Sequence, residues 1–127
     1  METIEFILYV ADQARSAEFY EGLLKTSPSL NVPGMTEFNL SETVKLGVMP
    51  ESGISNILGP AMPHPKTANG IPRCELYLKV SNPSDFIERA IQLGGKKISE
   101  LQARNWGDTV GYIADLDGHV IAFATKK

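Results

Sequence analysis

Cys74 is the only cysteine in the chain, so no disulfide can form within it, and a small fold that depends on such staples is excluded. Basic residues are also short: a net charge of -3, with no local cluster of lysine or arginine, argues against a nucleic-acid partner. Long apolar runs are missing as well. None approaches the ~20 residues of a membrane span, and no charged N-terminus leads into an apolar stretch of the kind that directs export. The expectation is a cytoplasmic protein with neither membrane nor nucleic acid as partner. What remains is an ordinary globular composition, 43% hydrophobic and 21% charged, over 127 residues. A chain of that size reads as a single domain, 1–127, burying roughly two-thirds of the surface its unfolded form exposes.

Ile4 to Ala11 is a β-rich run whose one charge, Glu5, sits near its beginning. Asp12 follows as a helix N-cap, and Ala14, Ala17, Phe19, Tyr20, Leu23 and Leu24 recur at helical spacing up to Lys25. Pro28, Pro33 and Gly34 restrict any strand between 26 and 34 to a short edge. Met35 to Leu40 and Thr43 to Met49 read as two strands joined by a tight turn at Ser41-Glu42, which completes a β-α-β-β-β module over 1–50. The next segment, 51–72, is rich in proline, with Pro60, Pro63, Pro65 and Pro72, and reads as a linker with room for a short anchored turn of helix at Ile54, Ile57 and Leu58. Loops of that length are usually functional or mobile, so a lid is a second reading.

From Arg73 the first pattern returns. Glu75-Leu76-Tyr77-Leu78-Lys79-Val80-Ser81-Asn82 lies over Glu5-Phe6-Ile7-Leu8-Tyr9-Val10-Ala11-Asp12, matching the Glu, the apolar positions and the closing Asn or Asp. Pro83 suits the first position of a helix, Phe86, Ile87, Ala90, Ile91 and Leu93 give it an apolar face, and Gly94-Gly95 stops it. A strand from Lys96 to Leu101 and two more flanking Asp115-Leu116-Asp117-Gly118 make a second β-α-β-β-β module over 73–127. Just ahead of that hairpin, Arg104-Asn105-Trp106-Gly107-Asp108 gathers the only tryptophan, a permanent cation and a carboxylate, groups that are costly to bury without partners and suit a cleft wall.

Two tandem β-α-β-β-β modules, with Asp-Leu-Asp-Gly-His-Val-Ile-Ala-Phe at 115–123, resemble the vicinal oxygen chelate superfamily of glyoxalase, bleomycin-resistance and extradiol dioxygenase proteins. The resemblance spans Leu8 to Asp12, Ser16, Phe19-Tyr20 and Leu23 in the first module, and Leu76 to Asn82 plus Arg104 to Phe123 in the second. It implies an α+β fold with a curved, mostly antiparallel half-barrel sheet around a concave cleft, and a homodimer. It also implies a divalent metal held by one side chain from the first and one from the fourth strand of each module. Carried over residue by residue, those positions fall on Glu5 and Glu75, on Ala122, and on Lys45 or Gly47. An alanine methyl cannot coordinate a metal, and neither lysine at neutral pH nor glycine supplies a side-chain donor.

The resulting expectation is a small-molecule-binding protein with no cofactor, its cleft lined by Glu5, Tyr9, Glu37, Glu75, Tyr77, Arg104 and Trp106. The alternative is a lyase or isomerase of lactoylglutathione lyase type, in which Glu5 and Glu75 bind Zn, Ni, Mn or Fe and one of them abstracts a proton next to a carbonyl. Period-two alternation puts Tyr9 on the face of Glu5 and Tyr77 on the face of Glu75. Phe38 and Met49 join Trp106, Tyr77 and Tyr9 as candidates for an aromatic cup, or are simple core. Plainer roles stand beside each of these: a salt bridge from Glu75 to Arg73 or Lys79, an ion pair from Arg104 to Asp108 or Glu100, and a cap of the hairpin by His119.

Overall fold

The computed structural model describes all of Met1–Lys127 and divides into two compact units, Met1–Asn69 and Gly70–Lys127. In the first, β1 (Ile4–Val10) leads through Ala11 into α1 (Gln13–Leu24). Asp12 has extended backbone, and its carboxylate accepts a hydrogen bond from the Arg15 N–H, satisfying one of the donors a helix start leaves free. At the other end Lys25 turns left-handed, with φ 52°, and its N–H closes on the Glu21 carbonyl. The short β2 (Leu30–Val32), β3 (Met35–Asn39) and β4 (Val44–Pro50) follow. Their order is β1-β4-β3-β2, with β1 parallel to β4 and the other pairs antiparallel.

Alternation along these strands decides which face is core. Leu8, Val10, Phe38, Leu46 and Val48 are buried on the side where α1 contributes Phe19, Tyr20 and Leu23. Each such side chain contributes about 1.5–3 kcal/mol by leaving water, so this helix-on-sheet layer, rather than helix propensity, holds α1 in place. Phe38 therefore belongs to the core and cannot line a cup. The linker differs from expectation: β4 runs directly into α2 (Glu51–Leu58), an eight-residue helix that packs against β1 and β4 with Ile54 buried. Pro50 sits at its N-cap and Glu51 in its first turn, where a carboxylate favours the helix dipole. A single 3-10 turn at Pro65–Ala68 completes the unit.

The second unit repeats the plan with β5 (Glu75–Lys79), α3 (Pro83–Gln92), β6 (Lys96–Ala103), β7 (Asp108–Ala114) and β8 (Val120–Lys126), ordered β5-β8-β7-β6 with β5 parallel to β8. Pro83 takes the first helical position as the sequence anticipates. The helix-facing side is built from Ile121, Phe123 and Ile113 against Ile87 and Ala90, with Phe86 stacked on Phe123 at 5.1 Å and the Arg89 guanidinium over Phe86. The fold is thus α+β, two tandem modules each carrying a mixed, mostly antiparallel four-stranded sheet.

Candidate functional site

With the helix-facing residues assigned, the opposite face of each sheet is left for chemistry. In the first unit that face carries Glu5, Ile7 and Tyr9 from β1, Lys45, Gly47 and Met49 from the central strand β4, and Met35 and Glu37 from β3. In the ladder both Ile7 and Glu37 pair with Gly47, and Glu5 pairs with Lys45. The absence of a side chain at Gly47 matters here, because a Cβ there would lie 2.6 Å from Glu5 Oε2 and 3.2 Å from both Ile7 Cγ1 and Met35 Sδ. The Glu5 carboxyl therefore reaches from β1 over the central strand toward Glu37 on β3. Lys45 Nζ stands 3.7 Å from Glu37 Oε1, while Glu5 Oε2 is buried without a hydrogen-bond partner.

Burial, and after it the neighbouring Glu37 carboxyl, raise the Glu5 pKa from its ordinary value, with Lys45 pulling the other way. A carboxyl whose pKa is raised by folding binds its proton more tightly in the native state. Its contribution to stability is therefore complete below the unfolded pKa and is lost as pH rises through the folded one. Glu5→Gln keeps the shape and removes the titration. The variant is expected to be more stable than the parent at pH 7, by about 1 kcal/mol or less because the side chain is partly solvated, and equal to it near about pH 3. Thermal melts at both pH values test this; a loss of stability in the variant at pH 7 would contradict it.

The second unit presents Glu75, Tyr77 and Lys79 from β5, Ala122 and Ala124 from the central strand β8, and Val110 and Tyr112 from β7. Tyr77 and Tyr112 both pair with Ala122, and Lys79 and Val110 with Ala124. Short side chains on the central strand again let its two neighbours meet. Tyr77 Oη donates to Asp108 Oδ2 at 2.6 Å and accepts from Trp106 Nε1 at 2.9 Å, and Lys79 Nζ lies 3.4 Å from the same Asp108 oxygen. Asp108 is 7% exposed, whereas Tyr77 is 37% and Trp106 56% exposed. The hydrogen bond from Tyr77, followed by Lys79 and Lys126, holds the Asp108 carboxyl below its usual pKa in spite of burial. Burial and the bond to Asp108 push the Tyr77 phenol up, so it stays protonated as a donor.

The residues singled out from the sequence fare differently. Glu37 joins Glu5 around Gly47, with Tyr9 on the same face, and Trp106 joins Tyr77. Glu75 is exposed at the start of β5; Lys79, its proposed partner, bonds Asp108 instead. Arg104 is occupied internally: Nε and Nη2 donate to the Val110 carbonyl, Nη2 also to Ser99 Oγ and the Glu100 carbonyl, and the guanidinium lies 5.3 Å from the Tyr112 ring centroid. Neither expected carboxylate pairs with it, and the Glu100 carboxylate bonds Lys97. The pairing of Lys79 with Asp108 is not among the sequence expectations, and neither is the close approach of side chains over Gly47. A glycine inside a strand is itself a sign that something approaches closely, and that sign was present.

No three His, Cys, Asp or Glu side chains converge anywhere in the protein. With Glu5 laid on Glu75, Gly47 falls on Ala122, so the fourth-strand positions on which the resemblance would place metal donors carry no donor side chain. The space is given instead to a carboxyl pair in one unit and to Tyr77 and its partners in the other. A groove of about 560 Å³ along α1 and β2 contains none of the candidate binding residues.

Tandem modules of this topology, with the Asp-x-Asp-Gly hairpin at the end of the second, define the vicinal oxygen chelate class of protein. The family model for the glyoxalase-like domain matches residues 3–126, and the chain belongs to that family. Among solved structures it is similar to a glyoxalase-related enzyme from Fulvimarina pelagi, at 22% identity and TM-score 0.81, covering 98% of this chain and 87% of that one. It is also similar to a glyoxalase/bleomycin resistance protein/dioxygenase family enzyme from Burkholderia phytofirmans, at 12% identity and TM-score 0.81, over 97% of both chains. A glyoxalase/bleomycin resistance protein from Albidiferax ferrireducens shares 18% identity at TM-score 0.69, over 100% of this chain and 98% of that one. At these identities the likeness is one of fold. No curated protein matches the chain. No helix is long and apolar enough to cross a membrane.

Proposed function

We propose that the protein binds a small molecule on the sheet faces turned away from its helices, without the full metal chelate of its superfamily, and works as a homodimer. The observation that carries this reading is Trp106: more than half exposed, yet fixed by its indole N–H to Tyr77. An exposed indole normally keeps its rotamer freedom. One that is already ordered offers a large apolar surface at little further entropic cost, which is what a ligand-binding aromatic supplies. On the corresponding face of the first unit, Glu5, Tyr9 and Glu37 offer hydrogen-bonding groups to a ligand of that face.

Trp106 is the only tryptophan, so tryptophan fluorescence, excited where tyrosine does not absorb, reports on this position alone. Titration with a panel of cationic, neutral and anionic aromatic compounds should give saturable changes for at least one. Calorimetry on Trp106→Ala should show affinity for that compound reduced about tenfold or more, equivalent to about 1.4 kcal/mol. A panel without saturable binding would remove the proposal.

One observation favours the metal-dependent lyase or isomerase, namely the buried and unpartnered oxygen of Glu5. Stoichiometric Zn, Ni, Mn or Fe in protein purified without chelator, lost in Glu5→Ala, would replace the first reading with this one.

A further inference from the structure

We propose that the exposed side chains on the face of the second unit turned away from α3 select aromatic ligands carrying an anionic group, the ring lying on Trp106 and Tyr77 and the anion meeting Lys79. This deepens, and rests on, the small-molecule reading above. The Trp106 N–H is committed to Tyr77 Oη, and the Tyr77 O–H is committed to Asp108 Oδ2. Neither aromatic residue has a donor left for a ligand, so both present ring surface and, on Tyr77, one remaining acceptor lone pair. Lys79 is the exception. An ammonium carries three N–H donors; its contact with Asp108 is at 3.4 Å, and its side chain remains 63% exposed, so donors are left pointing to solvent.

The charges around the rings point the same way. Asp108 is buried and flanked by two ammonium groups, Lys79 at 3.4 Å and Lys126 opposite it in the β7–β8 ladder. One carboxylate between two lysines leaves a surplus of positive charge at the end of the face where Trp106 sits. Glu75 is the other charged group on this face of β5, and it lies on the far side of Tyr77 from Lys79. A ring over Tyr77 thus meets attraction for an anion in one direction along the strand and repulsion in the other. A cationic ligand drawn to the indole face would be the opposite preference, and the two are separable by experiment.

The test holds the ring constant and changes the charge: 2-naphthoate, 2-naphthamide and 2-naphthylmethylammonium are titrated calorimetrically into the intact protein, into Lys79→Gln and into Lys126→Gln. Naphthoate should bind about fivefold tighter than naphthamide in the parent, the scale of a solvent-exposed ion pair. Lys79→Gln should bring that ratio close to one, Lys126→Gln should reduce it less, and added salt should shrink it. Both substitutions are at exposed positions, and circular dichroism confirms that the variants fold. Equal binding of naphthoate and naphthamide, or tightest binding of the ammonium compound, overturns the anion preference while leaving small-molecule binding intact. A ratio unchanged in Lys79→Gln overturns the assignment to Lys79. Absence of binding by all three, together with the failure of the wider panel, overturns both.

Discussion

Phe123→Ala is expected to lower stability by about 3–5 kcal/mol, a large share of the roughly 5–15 kcal/mol that holds an ordinary domain folded. Phe123 is fully buried and stacks on Phe86 at 5.1 Å with the rings 26° apart, and the Arg89 guanidinium lies 4.6 Å from the far ring. Its place in the ladder makes the loss propagate. β8 bonds β5 on one side and β7 on the other, and the strand that carries Phe123 toward α3 carries Ala122 and Ala124 toward the face where Tyr77 and Lys79 meet Asp108. A cavity beneath β8 therefore loosens the spacing that the hydrogen bonds over it require. Phe86→Ala, at a half-buried position, should cost clearly less. Urea titration read by far-UV circular dichroism would give the difference as a fall in midpoint at similar slope; a loss under about 1 kcal/mol for Phe123→Ala would mean that the sheet collapses freely around the gap and that α3 is not pinned there.

The repeated module was legible because each of its boundaries has a local cause. Asp12 and Asn82 precede the helices, Pro83 is pre-set for a first turn, and the strands alternate between helix-facing apolar residues and a more polar face. The helix α2 was underread, since prolines on both sides dominate the local pattern and only Ile54 anchors it. Among the candidate residues, those that stand out by type are legible in the sequence: Glu5 and Glu37 as carboxyls, Tyr77 and Trp106 as aromatics. The bonds among them are not, because they cross a central strand. Lys79 and Tyr77 on β5 reach Asp108 on β7 only because β8 places alanines between them, and Glu5 reaches toward Glu37 only because β4 places Gly47 there. Register and strand order decide such meetings, and neither can be read from the spacing of residues along the chain. The resemblance had marked Gly47 and Ala122 as positions where ligands were missing. In the fold the same two positions are where neighbouring strands gain room to bring their side chains together.

Asp115→Ala should destabilise the protein by about 2–3 kcal/mol, whereas Asp115→Asn should cost less than about 1 kcal/mol. Asp115 is buried, and its Oδ1 accepts from the backbone N–H of Asp117 at 2.9 Å and of His119 at 2.8 Å, while the main chain closes the turn from Asp115 N to the His119 carbonyl and from Gly118 N to the Asp115 carbonyl. Removing the carboxylate takes this acceptor away from two partly buried donors, the costly half of the hydrogen-bond asymmetry. Asparagine retains an oxygen in the same place. Gly118 fixes the opposite side of the turn, with φ 92° and the Gly70 Cα 3.1 Å from where a Cβ would sit, so the loop has no easy alternative path. Chemical denaturation of the two variants separates the roles: equal damage by Asn and Ala would assign the effect to charge, and little damage by either would deny the turn its importance. If the expected order is found, the Asp-Leu-Asp-Gly stretch is a device for setting the β7–β8 register. The motif then acts on the candidate site indirectly, by placing Ala122 opposite Tyr112 and Lys126 opposite Asp108, which sets where Asp108 stands to meet Tyr77 and Lys79.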